Sequence, residues 1–215
     1  MGIEQNSKLA EYTRLLASWP GLIGRGQDAA ALVADSLSLL PHLEGVASLV
    51  DVGSGGGMPG LPLKLARPRL RVTLIESDHR KAAFLEHAAA RLGLEVEVLA
   101  ERAEDAGRGP LRESFDAACS RALAPLPVAA ELCLPLVRVG GRMLALRTAA
   151  EGPALEPAEA AAALRLFGGG EARALPAPSR LRERGVVVVV PKVAPTPPEY
   201  PRRAGIPSRR PLSKL

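Results

Sequence analysis

Between Val50 and Gly60 the chain reads Val-Asp-Val-Gly-Ser-Gly-Gly-Gly-Met-Pro-Gly. Glycine reaches positive φ without penalty and carries no Cβ, so Gly53, Gly55 and Gly57 can bring bare backbone against a ligand. A helix predicted to start at Leu61 adds unpaired N–H groups at the same place. Met58 lies inside this loop, able to pack on a ligand or into the core. Glu76, with Ser77 beside it, follows about 20 residues on, the spacing of an acid that holds a ribose. In Glu101-Arg102-Ala103-Glu104-Asp105, the Ala103 amide and the Glu104 acid could meet a nucleobase. Arg121, in Ser120-Arg121-Ala122, adds a fixed positive charge.

Two cofactor classes fit the loop. Asp51-x-Gly53-x-Gly55-x-Gly57 resembles the first motif of S-adenosylmethionine (AdoMet) methyltransferases, whose leading acid sits near the methionyl amino group. Gly55-Gly56-Gly57-Met58-Pro59-Gly60 also fits the dinucleotide fingerprint G-x-G-x-x-G. Asp51 favours AdoMet, because a pyrophosphate has no use for a carboxylate at that point. A glycine-rich turn that binds nothing is the plain alternative.

The surrounding pattern supplies elements to hold these residues. Two amphipathic helices, 3–19 and about 28–40, precede the first strand as an N-terminal cap, the second carrying Asp35-Ser36-Leu37 and stopping before Pro41. Strands at 47–51, 70–75, 95–99, 115–120 and 141–146 then alternate with helices at 60–67, 79–92, 103–108, 126–137 and 157–167. That alternation predicts an α/β fold with a doubly wound, mostly parallel sheet. Two strands without an intervening helix, 171–175 and 185–190, close it as a hairpin. The run Val186 to Val190 calls for a strand that is central or covered on both faces. The parallel strand ends, where such sheets bind ligands, carry Asp51, Glu76, Glu101 to Asp105 and Ser120-Arg121. The predicted organisation is a helical cap at 1–45, an AdoMet-binding domain at 46–191 and a basic tail at 192–215, together one compact unit.

At 215 residues, 47% hydrophobic and 24% charged, the composition is that of a soluble globular protein. Cys119 and Cys133 are too few for a disulfide framework, and no His or Cys spacing suggests a metal site. No apolar run approaches the ~18 residues of a membrane span, so a cytoplasmic location is expected. From Lys192 onward six Lys or Arg residues face one Glu, which accounts for the whole net charge of +5. A basic tail suits a polyanion such as RNA, or simply aids solubility.

Taken together these motifs resemble the 16S rRNA (guanine-527-N7) methyltransferases, the glucose-inhibited division protein B family. The loop Asp51 to Pro62, the N-terminal Asp35-Ser36-Leu37, Glu76-Ser77 with Lys81 and Phe84-Leu85, Arg102-Ala103-Glu104 and Ser120-Arg121-Ala122 all match. So does the tail Tyr200 to Pro207 with Pro211-Leu212. Three positions depart: Leu32 replaces a usual His, Arg147-Thr148 replaces a usual Lys-Gly, and no Asn-Leu pair stands near Trp19 to Ile23.

The resemblance implies a class I AdoMet methyltransferase fold and a pocket for AdoMet, with S-adenosylhomocysteine as product. Its pocket residues would be Asp51, Gly53, Gly55, Gly57, Met58, Glu76, Ser77, Ala103, Glu104 and Arg121. Arg121 would also face the target guanine, and Asp35 would act as its base contact or orient Arg121. Arg147, Arg202, Arg203, Arg209 and Arg210 would bind phosphates of 16S rRNA or the small ribosomal subunit. A methyltransferase for a small molecule or protein, and a non-catalytic AdoMet- or NAD-binding module, remain the competing readings.

Overall fold

A computed structural model describes residues 2–24, 26–148 and 157–212, without side chains for 148 and 157–159. The side chain of Thr148 and the last residues of the predicted tail, 213–215, lie outside the described residues.

The chain begins with α1 (Ile3–Ser18) and α2 (Ala29–Ser36), the latter capped where the Asp28 carboxylate accepts the Ala30 N–H at 2.9 Å. The predicted helix to residue 40 tightens instead into a 3₁₀ turn at Leu37–Leu43, which contains Pro41, a residue with no N–H to give an α-helix. Strand and helix then alternate: β1 (Ser48–Val52), α3 (Gly60–Ala66), β2 (Arg71–Ile75), α4 (His79–Leu92), β3 (Glu97–Leu99) and α5 (Ala103–Ala106). They continue as β4 (Phe115–Arg121), α6 (Leu126–Cys133), β5 (Val137–Thr148), α7 (Pro157–Leu166), β6 (Arg173–Pro176), β7 (Gly185–Pro191) and α8 (Ile206–Arg209).

One seven-stranded sheet results, in the order β3-β2-β1-β4-β5-β7-β6. The first five strands are parallel, and β7 runs antiparallel between β5 and β6. The five-valine run forms β7, between β5 and β6, with Val187, Val188 and Val190 buried. Alternation along β1 places Leu49 in one apolar layer, under α1 to α4, and Val50 and Val52 in the other, under α6 and α7. The strand order reverses between β1 and β4, and the cleft at their carboxyl ends is where such a sheet takes a ligand.

Two differences from expectation have local causes. The helix predicted to 137 ends at Cys133, and Pro135 sits in a short 3₁₀ turn, Leu134–Leu136. Strand β5 then starts at Val137, before Gly140-Gly141, because its pairing with β4 shifts register between Phe115 and Ala117. Gly140, at φ 85°, takes up the extra length without Cβ strain.

The tail is a docked strap. Lys192 is buried, its ammonium donating to the Leu134 and Phe167 carbonyls at 2.9 and 3.0 Å and to Thr196 Oγ1, with Glu113 at 3.2 Å. Burial pulls its pKa down to about 8 against the opposing pull of Glu113, so this lysine of the basic count is not offered to a polyanion. Arg112 donates to the carbonyls of Thr196, Pro197 and Tyr200 at 2.6, 3.0 and 2.6 Å. The Tyr200 ring meets Phe167 edge-on at 5.2 Å.

Candidate active site

Everything at the site hangs on the loop that leaves β1. The Gly53 and Ser54 N–H groups donate to the Ile75 carbonyl at 2.9 and 3.0 Å, tying the loop to the end of β2. Gly53 sits at φ 70°, and a Cβ there would lie 2.5 Å from Leu123 Cδ1. A side chain there would be strained by the backbone and would have to displace the Leu123 methyl, so glycine is favoured. From the cap, the Tyr12 hydroxyl donates to the Gly56 carbonyl at 2.5 Å, and burial with the nearby Asp51 charge pushes its pKa up. Tyr12 had no signal in the sequence beyond its place on an amphipathic helix.

Glu76 is 8% exposed and shapes the loop from the far side, accepting the Gly55 N–H at 2.8 Å and the Asp78 N–H at 2.9 Å. Beside it Ser77 is exposed, its hydroxyl 3.3 Å from Arg102. Glu104, 1% exposed at the start of α5, accepts from Arg102 through both oxygens and from the Gly205 N–H at 2.8 Å. Burial opposes its ionisation, but the Gly205 and Arg102 hydrogen bonds prevail and hold its pKa below the usual range. Gly53, Ser77, Arg102, Ala103, Glu104 and Leu123 line a cavity of about 60 Å³ at the strand ends. The Gly53 backbone, Ser77 and Ala103 are groups of the kind that flank a nucleoside-bearing cofactor.

Arg121 closes β4 on the cap side of the cleft. Its Nη2 lies 3.7 Å from the sulfur of the buried Met58, and its buried Nε has no hydrogen-bond partner. The side chain is only partly buried, so its outer guanidinium nitrogens are the ones that could take an acceptor.

Asp51 is placed differently from the expectation that it reaches a methionyl amino group. It is fully buried, and its Oδ2 accepts the Gly60 N–H at 2.8 Å, so it fastens the end of the loop to α3 from beneath. Burial raises its pKa to about 7, although the Gly60 bond and the charge of Arg121 pull the other way. Native Asp51 therefore keeps a proton that the unfolded chain loses above 3.8, and its contribution weakens stability as pH rises from about 4 to about 7 and is flat above. Urea unfolding of Asp51→Asn against the natural chain should show a stability difference that grows across that window, by at most about 1.4 kcal/mol per pH unit. A difference independent of pH would mean Asp51 is ionised throughout.

Three further expectations are corrected. Asp35 does not touch Arg121: its Oδ1 receives the Ser179 hydroxyl at 2.5 Å and Arg182 Nε at 2.7 Å. Its role is to join α2 to the β6–β7 connection. Arg147, expected on a phosphate, is 8% exposed, with its side chain enclosed and its carbonyl accepting from Arg182. Arg202, also expected on a phosphate, is held by Glu131 of α6 at 2.7 and 2.6 Å. Arg203, Arg209 and Arg210 remain exposed. A lone acid in the apolar stretch Leu126 to Cys133 was the signal that could have singled out Glu131. Arg182 could not be told from Arg180 and Arg184.

The family model for rRNA small subunit methyltransferase G matches residues 5–168 of this chain. The chain belongs to that family. The ribosomal RNA small subunit methyltransferase G of Moorella thermoacetica is 42% identical, over 97% of this chain and 91% of the relative. That of Rubrobacter xylanophilus is 43% identical, over 97% and 84%. Among solved structures, the methyltransferase SibL in its apo form aligns with a TM-score of 0.62 and 21% identity, over 85% of this chain and 62% of the other. An O-methyltransferase from Bacillus cereus in complex with SAH aligns at 0.61 and 20%, over 86% and 91%. These likenesses establish the class I AdoMet methyltransferase fold for this member of the methyltransferase G family. No helix among the described residues is long and apolar enough to cross a membrane.

Proposed function

We propose that this protein transfers the methyl group of S-adenosylmethionine to N7 of one guanine in small-subunit rRNA, the guanine the family resemblance numbers 527. The observation that carries the proposal is Arg121, part-buried at the end of β4 against Met58 of the glycine loop. Bound in the cleft, the cofactor supplies an electrophilic methyl group on a sulfonium. Gly53 and the Ala103 backbone would flank its nucleoside, with Glu76 and Ser77 toward the ribose and Glu104 toward the adenine. Guanine N7 offers a lone pair and no proton, so the N–CH₃ bond forms as the S–CH₃ bond breaks and no general base is required. The protein's contribution is geometry, which can supply ~7–11 kcal/mol of the barrier. Arg121 would donate to guanine O6 and leave N7 free to attack.

Arg203, Arg209 and Arg210 would carry the RNA backbone. Three such contacts on a single strand predict a log–log slope of affinity against salt of about −2. A titration showing no salt dependence would remove these arginines from the interface.

The deciding experiment incubates the protein with labelled AdoMet and either small-subunit rRNA or 30S particles. N7-methylguanine is then mapped by its borohydride- and aniline-induced strand cleavage. One modified guanine is expected. AdoMet binding without labelled RNA would favour a small-molecule or protein substrate instead, and no AdoMet binding would defeat the cofactor assignment itself.

A further inference from the structure

The strap crosses the two elements that wall the cofactor cavity. Glu104 of α5 and Leu132 of α6 line that cavity, and Glu131 directly precedes Leu132. Both carboxylates are 1% exposed, and both are answered by the strap. Glu131 takes the Arg202 backbone N–H at 2.9 Å and its guanidinium at 2.7 and 2.6 Å, while Glu104 takes the Gly205 N–H at 2.8 Å. Pro201 is pinned between them: its carbonyl accepts Arg108 Nε at 2.6 Å, and its ring lies where a Cβ on Gly107 would be 3.1 Å away. Without the strap Glu131 would be a buried carboxylate stripped of its Arg202 partner, which is strongly unfavourable, and Glu104 would keep Arg102 but lose the Gly205 N–H. Arg203 within the pinned stretch, and Arg209 and Arg210 beyond it, stand in solvent.

We propose that residues 201–205 clamp the cofactor cavity, with Arg202 as a positioning residue, so that strap docking and cofactor binding form one linked equilibrium. The proposal rests on the AdoMet reading above. Any polyanion that binds the exposed arginines and favours the docked strap then raises cofactor affinity, and the cofactor raises polyanion affinity by the same factor.

The test is calorimetric titration of AdoMet into the full chain, with and without small-subunit rRNA, for the natural protein and Arg202→Gln. The variant should bind AdoMet about tenfold more weakly, and the tightening that RNA gives the natural protein should disappear. Exchanging the charges, Arg202→Glu with Glu131→Arg, should recover part of both effects. Hydrogen exchange at the Arg202 and Gly205 amides, both bonded only in the docked strap, reports whether it has been released. If Arg202→Gln melts below the assay temperature, Arg108→Gln, which removes the holds on the Pro201 and Glu199 carbonyls, is read in the same way. A released strap with AdoMet affinity within twofold of the natural protein overturns the clamp and leaves the methyltransferase reading standing. Failure of the natural protein to bind AdoMet overturns both.

Discussion

Replacing Arg121 by alanine is expected to lower kcat/KM for RNA methylation by about 10²–10³, the range seen when one fixed donor is removed from a transition state. The side chain is only partly buried and its contacts are sparse: the Met58 sulfur at 3.7 Å and the through-space field on Asp51. The melting temperature should consequently move by no more than a few degrees. Arg121→Lys keeps the charge but loses the planar fork, and should recover only a minor part of the activity. Single-turnover kinetics with saturating RNA separate the two places the arginine could act. A lowered methyl-transfer rate at unchanged AdoMet affinity places it on the guanine. An equal loss in AdoMet affinity would place it on the cofactor instead, and full activity in the alanine variant would refute the site.

The second large effect is on stability. Asp35→Ala is expected to cost about 3–5 kcal/mol, because it leaves the Arg182 guanidinium buried without its counter-charge. In the native structure these side chains are 2% and 11% exposed, and Arg182 already holds one buried nitrogen without a partner. For a chain of this length that loss corresponds to a fall in melting temperature of about 10 °C. Asp35→Leu combined with Arg182→Met should restore most of the stability, since removing both charges removes the desolvation penalty with them. Scanning calorimetry of the single and double variants decides it. If Asp35→Ala melts with the natural protein yet fails to methylate, then Asp35 acts in the reaction after all.

The legible parts of this protein are those whose physics is local. Glycines alternating after an apolar strand could only make a tight, bare loop, and the structure has Gly53, Gly55 and Gly57 at positive φ. The strand–helix alternation fixed the parallel sheet, and a five-valine run could survive only inside it, between β5 and β6. Helix α4 falls at 79–92 as its pattern requires, with Asp78 capping its start and Gly93 in the left-handed conformation at its end. Errors gathered where prolines met helices, at Pro41 and Pro135, and at the bulge near Gly140, whose register depends on the neighbouring strand.

Charges behaved differently. Asp35, Arg147, Arg202 and Lys192 all read from sequence as groups available to substrate or RNA. Arg202 meets its carboxylate 71 residues away and Asp35 meets its guanidinium 147 residues away. A charged side chain looks the same in sequence whether it will face water or a buried partner, because burial is a property of the packed layers and not of the residue. By itself, then, the sequence determined the cradle, the sheet and the family they belong to. Only the tertiary structure decided which charges are enclosed in ion pairs and which stay in solvent, because desolvation forces an enclosed charge to find a partner that local pattern cannot name.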